Sequence, residues 1–185
     1  MAHRVCPWWI GYLLLSPIRR LGQNPNTLLG PHVRRGMTVL DVGCAMGFFT
    51  LDLARLVGED GRVVAVDLQE RMLRALTKRA TRRGLATRIE YRICGDDDLG
   101  IDDLSCSVDF ALAFAVVHEV PDQARFLDQV RNALRPGARL LLSEPSGHVG
   151  QQEFNDTVAA AEGTGFEIVD RPAIRRSRSV LLQRP

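Results

Sequence analysis

The sequence predicts an α/β protein built on a doubly wound, mostly parallel seven-stranded sheet with a C-terminal antiparallel hairpin. Three observations carry that expectation. From Gly36 onward, short apolar runs rich in β-branched residues alternate with stretches of helical spacing. Glycine-bearing turns follow several of those runs, as at Val42-Gly43 and Ile93-Cys94-Gly95. Two late runs, residues 166–170 and 177–183, lie close enough to pair as a hairpin. Alternation of strand and helix calls for right-handed crossovers and a parallel sheet.

Each element has its own signal. Residues 38–42 form a short apolar run that meets glycines at once, the pattern of a buried parallel strand entering a tight turn. Residues 48–57 carry apolar positions at helical spacing, and Gly58 and Asp60-Gly61 stop them. Residues 62–66 read as the second strand, closed by Asp67, and 69–83 as a helix with Met72, Leu73 and Leu76 inward. Residues 89–93 alternate as a third strand, and 108–114 are almost wholly apolar as a fourth. Asp122 N-caps a helix over 122–134 that Pro136-Gly137 stops. A fifth strand follows at 138–143 and a further helix at 152–162. Residues 1–36, with four prolines and the aromatic residues Trp8, Trp9 and Tyr12, read as an N-terminal helical arm or lid on a domain of residues 37–185.

Composition narrows the function classes. The 185 residues suffice for one domain with a sizeable core. A net charge of +2 gives no field that argues for nucleic acid. Lys78 is the sole lysine, and the dominance of arginine reads as codon usage. Cys6, Cys44, Cys94 and Cys106 are widely spaced with no C-x-x-C pair, so neither a metal site nor a redox motif is indicated. The apolar run at 6–16 is too short to span a bilayer and lacks a cleavage site, so a cytoplasmic protein without an integral membrane segment is expected.

In doubly wound sheets the ligand crevice lies outside the carboxyl ends of the strands. The strongest motif sits there: Val39-Leu40-Asp41-Val42-Gly43-Cys44-Ala45-Met46-Gly47-Phe48-Phe49. Gly43 permits the turn, and Gly47 permits close approach of ligand and helix start. Asp67, about 20 residues further on, suits both hydroxyls of a ribose, and also suits an N-cap role. Asp96 and Asp97 follow strand three, where a carboxylate can accept from an adenine amino group or belong to a solvated acidic loop.

These residues, with Val66-Asp67, Gly95-Asp96, Val108-Asp109-Phe110 and Leu134-Arg135-Pro136-Gly137-Ala138-Arg139-Leu140, resemble the class I S-adenosylmethionine-dependent methyltransferases of Rossmann-like fold. Small-molecule members of the ubiquinone and menaquinone methyltransferase group are the most similar in pattern. The resemblance runs from about Gly36 to Glu144. It implies S-adenosylmethionine as cofactor, leaving as S-adenosylhomocysteine, and a small-molecule acceptor. It implies Asp41 and Gly43 near the methionine moiety, Asp67 on the ribose, Asp96 near adenine, and backbone at Phe114 and Ala115 along the cofactor. Cys44, Gly47, Leu68 and Asp97 complete the expected contacts. Ala45 and Ala138 depart from glycines common in the family.

Beyond strand four, His118 and Glu119 offer a general base and its orienter. Packing, or capping of the next helix, is the alternative role for His118. Glu144 and His148, at and beyond the end of strand five, could face the same cavity, since the family's sheet places strands four and five side by side. The chain lacks an inserted cap, which leaves the acceptor side to the arm, to loops or to a second copy in a homodimer. A nicotinamide oxidoreductase shares the glycine turn, but the turn here is Gly43-x-Ala45-x-Gly47 and no Tyr-x-x-x-Lys pair exists. A methyltransferase-like subunit that binds cofactor without turnover remains the other alternative.

Overall fold

The computed structural model describes Leu15, residues 19–20 and residues 22–185. Most of the expected arm, including Cys6, Trp8, Trp9 and Tyr12, lies outside the described residues. Its last stretch forms α1 (Pro25–Leu29), whose Asn24 cap accepts from the Asn26 N–H.

The β-strands follow the sequence pattern closely. They are β1 (Thr38–Val42), β2 (Arg62–Asp67), β3 (Ile89–Ile93), β4 (Val108–Phe114), β5 (Leu134–Pro145), β6 (Glu167–Asp170) and β7 (Ser177–Gln183). Helices α2 (Thr50–Leu56), α3 (Glu70–Thr81), α4 (Gln123–Ala133) and α5 (Gln151–Gly163) cross between them. The strand order is β3-β2-β1-β4-β5-β7-β6. Strands β1 to β5 pair in parallel, and β7 runs antiparallel to both β5 and β6. The antiparallel strand is therefore second from the edge and β6 is the edge. The chain winds outward from β1 to β3 and returns on the other side as β4, which puts the switch point between β1 and β4.

Alternation along the strands divides the core in two. Leu40 and Val42 of β1, with Ala111 and Ala113 of β4, pack beneath Phe126, Leu127 and Val130 of α4 and Phe154 and Val158 of α5. Val39, Phe110 and Leu112 face the opposite side, under Leu51 and Leu53 of α2 and Leu73 and Leu76 of α3. Helices thus cover both faces, as near-continuous apolar strands require.

Several boundaries shift from the sequence reading, and two of the shifts have a clear local cause. The helix expected from residue 48 begins at Thr50, because Ala45 at φ +47 and Gly47 at φ +79 extend the turn after β1. Strand β5 begins at Leu134, where helix was expected to persist. Pro136 cannot continue the helix, and Gly137 at φ +80 turns its N–H onto the Arg184 carbonyl. The Arg184 guanidinium meanwhile caps the carbonyls of Arg131, Asn132 and Leu134 at the end of α4.

Gly47 is constrained twice, by its positive φ and by a Cβ that would collide with the Leu76 side chain. Gly47→Ala is expected to destabilise the fold by about 1–3 kcal/mol. Urea unfolding of the variant beside the parent checks this.

Candidate functional site

A cavity of about 450 Å³ opens where β1, β2, β3 and β4 end. Its floor is the turn after β1. The N–H groups of Gly43 and Cys44 both donate to the Val66 carbonyl. Gly43 sits at φ +71, and a Cβ there would come within 2.6 Å of the Val116 side chain, so glycine is required by conformation and by space. Ala45 and Ala115, both lining the cavity, are also at positive φ, +47 and +59. Non-glycine residues in that region cost of order 1–3 kcal/mol and collect at functional sites.

Asp67 holds the turn in place. Its Oδ2 accepts the Ala45 N–H at 2.8 Å and its Oδ1 accepts the Gln69 N–H at 2.8 Å. The second contact closes a turn two residues long ahead of α3; the N-cap of that helix is Gln69, with no side-chain cap bond, so Asp67 does not take the N-cap role offered as its alternative in the sequence. Each oxygen keeps a further lone pair for a ligand. Burial pushes the Asp67 pKa above the usual carboxylate range, against the pull of those two backbone donors. Asp41 is buried at 3% exposure and accepts from the Thr50 hydroxyl at 2.6 Å. Burial pushes its pKa to about 7, with the Asp67 charge adding to the rise and Thr50 opposing it. Burial and both carboxylates hold the Cys44 thiol well above its ordinary range, so it is not a nucleophile here.

Of the cofactor residues anticipated from sequence, Asp41, Gly43, Cys44, Asp67, Leu68, Asp96, Phe114 and Ala115 line this cavity. Gly47 and Asp97 do not. Gly47 packs against Leu76 behind the turn, and Asp97 is exposed in the acidic loop. Several wall residues escaped the sequence reading. Met72 was read only as an inward helix position, and Leu99 and Phe126 were not singled out in the sequence; all three line the cavity. Arg19 lines the cavity too, with its guanidinium 4.4 Å from the Phe48 ring centre and 5.4 Å from those of Phe49 and Phe114. Burial lowers its pKa to about 10.

His118 and Glu119 belong to a 3₁₀ turn, Val117–Glu119. Glu119 lines the cavity, whereas His118 stands behind it with Nε2 3.9 Å from the Glu119 carboxylate. The partner that fixes the imidazole is Glu144, at 1% exposure. Glu144 Oε2 lies 2.5 Å from His118 Nδ1, and its Oε1 accepts the Val117 N–H at 2.8 Å. When the imidazole is protonated, its Nδ1–H donates to Glu144 across that contact. Burial works to lower the His118 pKa, but the Glu144 hydrogen bond and the charges of Glu144, Glu119 and Glu153 outweigh it, and the net shift is upward. His148 is exposed, its ring centre 6.4 Å from that of His118. Among the described residues no group of His, Cys, Asp and Glu is arranged to hold a metal ion, and no helix is long and apolar enough to cross a membrane.

Comparison with known proteins bears on this cavity. A family described as a methyltransferase domain matches residues 34–169. Over 112 residues the chain is 33% identical to the ubiquinone/menaquinone biosynthesis C-methyltransferase UbiE of Idiomarina loihiensis, covering 60% of this chain and 44% of that protein. The protein of the same name from Escherichia coli (strain K12 / DH10B) is 35% identical over 112 residues, with the same coverage. The chain thus spans less than half the length of the curated relatives it matches. Its fold matches that of a SAM-dependent methyltransferase from Aquifex aeolicus with a TM-score of 0.88, at 23% identity, over 98% of this chain and 100% of the other.

The Asp41 carboxyl has a raised pKa in the folded protein, so the fold takes up a proton relative to the unfolded chain between pH 3.8 and about 7. Its contribution to stability is complete below that window and is lost as pH rises through it. Asp41→Asn is expected to flatten this part of the profile, measured as the difference in Tm between variant and parent from pH 4 to 8.

Proposed function

The chain belongs to the methyltransferase-domain family, whose cofactor is S-adenosylmethionine, and on that premise we propose that it transfers the methyl group to a small-molecule acceptor. The observation that carries the proposal is the cavity at the ends of β1 to β4, with Asp67 pinned between two backbone N–H groups on its floor. Its volume lies within the usual range for small-ligand sites. The residues present fit the cofactor. Asp67 keeps acceptor capacity for ribose hydroxyls, Asp96 for an adenine amino group, and Asp41 offers negative charge beside the Gly43 turn. Met72, Leu99 and Phe126 provide apolar wall for a flat base.

When bound, the cofactor supplies an activated methyl group for in-line displacement. The protein has then to orient the acceptor and exclude water, and orientation alone is worth roughly 7–11 kcal/mol. Phe48, Phe49, Phe114 and Val120 make an apolar face suited to an aromatic ring. Both UbiE relatives are named for C-methylation, which supports carbon as the acceptor atom. Leu15 and Arg19 line the same cavity, which supports these two residues as part of its cover.

Roles within the acidic cluster follow from position. Glu119 meets the acceptor as proton acceptor, and His118, held by Glu144, is a positioning residue that fixes Glu119 through its charge. That exchanges the roles first read from the sequence.

Calorimetric titration tests the cofactor first. S-adenosylhomocysteine is expected to bind at micromolar levels and NADH not at all; the reverse result overturns the proposal. Asp67→Ala is expected to cut S-adenosylhomocysteine affinity about tenfold to a hundredfold, the range for hydrogen bonds to a charged group. Unchanged affinity in a folded variant removes the ribose assignment.

Positioning by charge has a pH signature. The His118 pKa is raised above 6.5, so its ion pair with Glu119 is present below that pKa and is lost as pH rises through it. kcat/KM is therefore expected to fall on the alkaline side of pH 6.5. His118→Gln should remove that limb and lower kcat while leaving S-adenosylhomocysteine affinity unchanged. Glu119→Gln should cost about 10²–10⁴-fold in kcat. An unaltered pH profile in His118→Gln makes the histidine purely structural.

A further inference from the structure

A second cavity, about 340 Å³, lies against the first and is lined by Leu15, Arg20, Phe48, Arg55, Arg79 and Arg83. Leu15 and Phe48 are common walls of the two. The charges in it do not balance. Asp52, at 2% exposure, is the carboxylate of the cluster, and it is already shared: one oxygen takes Arg20 at 2.6 Å and the other takes Arg55 at 2.7 Å. Arg79 donates to the Met46 carbonyl, and among the described residues neither Arg79 nor Arg83 has a carboxylate within ion-pair distance. Four guanidiniums thus face one carboxylate. The strain of that arrangement shows at Arg79, whose pKa is lowered to about 10 by burial first and then by the charges of Arg83 and Arg20, with Asp52 opposing.

A concave site with excess positive charge is relieved by an anion. Guanidinium forks match the oxygens of phosphate, which they bind with paired, charge-assisted hydrogen bonds. The volume suits a phosphate or diphosphate group and not a polynucleotide, which calls for an extended basic surface. We propose that this arginine pocket holds the phosphoryl or diphosphoryl end of the methyl acceptor. The apolar body of that acceptor then passes Leu15 and Phe48 into the main cavity, where its reacting atom meets Glu119. The proposal rests on the methyl-transfer reading and adds to it the chemical class of the acceptor. Arginine here acts as a local cluster drawn from three chain segments, which the low net charge of the whole chain conceals.

The test uses the full chain and inorganic pyrophosphate as probe, by calorimetry at constant ionic strength, with and without saturating S-adenosylhomocysteine. Submillimolar pyrophosphate binding is expected in both conditions, because the pockets are separate. Arg83→Gln, at an exposed position, is expected to weaken it about tenfold, as loss of one charge-assisted contact does, with unchanged Tm and unchanged S-adenosylhomocysteine affinity. No pyrophosphate binding, displacement of pyrophosphate by S-adenosylhomocysteine, or equal binding by Arg83→Gln each overturns the site. A parallel co-sedimentation uses phosphatidylglycerol vesicles. Vesicle binding without pyrophosphate binding overturns it in favour of a lipid surface. Failure of S-adenosylhomocysteine to bind overturns the methyl-transfer reading, and with it the acceptor assignment, even where pyrophosphate binds.

Discussion

The site is organised around one carboxylate. Asp67 ends β2 and reaches sideways to the Ala45 N–H in the turn after β1, while also accepting the N–H of Gln69 ahead of α3. Three pieces of chain thereby take fixed positions at the carboxyl edge of the sheet. The contact is possible because β1 and β2 pair in parallel with Val42 opposite Val66, so both strands end at the same level. It also stabilises a costly backbone, since Ala45 at φ +47 has its N–H satisfied by this carboxylate. Gly43 closes the other side of the same turn against Val116. The crevice at the switch point is therefore shut beneath the turn and open in front of it, where a ligand enters.

Asp67 and Asp41 answer to burial in the same way. Both are buried, both accept only from neutral donors, and among the described residues neither has a cationic side chain at ion-pair distance. Desolvation then dominates, and both carboxyls are held above their ordinary range. Asp52 is the contrast: it is as buried, but each of its oxygens meets an arginine. Under the proposed function, the positive sulfur of S-adenosylmethionine would supply charge to two acids that have no ion pair of their own. Such a ligand favours the ionised acids, so its binding draws protons off Asp41 near neutrality. Under the proposed function, the acids that cost stability in the free protein are the ones that face the cofactor.

Much of this was written in the sequence, for identifiable reasons. Strands β1, β3, β4 and β7 were readable to the residue because each is a buried or alternating run bounded by turn residues. Asp67 was readable because it follows such a run by one position. The start of β5 was hidden because Pro136-Gly137, which stops a helix, here forms a bulge inside a strand. The partnership of Glu144 with His118 was not readable, because it joins two residues 26 apart in the chain through the register of β4 and β5. The arginine pocket was still less so. Arg20, Arg55, Arg79 and Arg83 stand in three separate segments, and composition reports only their number.

Strand register also governs the acidic cluster beside the cavity. Phe114 of β4 lies opposite Ser143 of β5, so Glu144 falls one residue beyond, level with the chain as it leaves β4. From there its two oxygens take the Val117 N–H and His118 Nδ1, and the turn that carries Glu119 is set in place from behind. The position of Glu119 is thus a consequence of β5, not of the loop's own sequence. A slip of β5 by one residue would turn Glu144 to the other face of the sheet and release the turn. The bulge after Leu134 guards against that. Between the pairs Val108–Leu134 and Phe110–Arg139, five residues of β5 are spent against two of β4. Gly137, bonded to Arg184, fixes where the excess is absorbed, at the far end of the strand from the cavity. The irregular entry of β5 and the regular placement of Glu144 are two ends of one constraint.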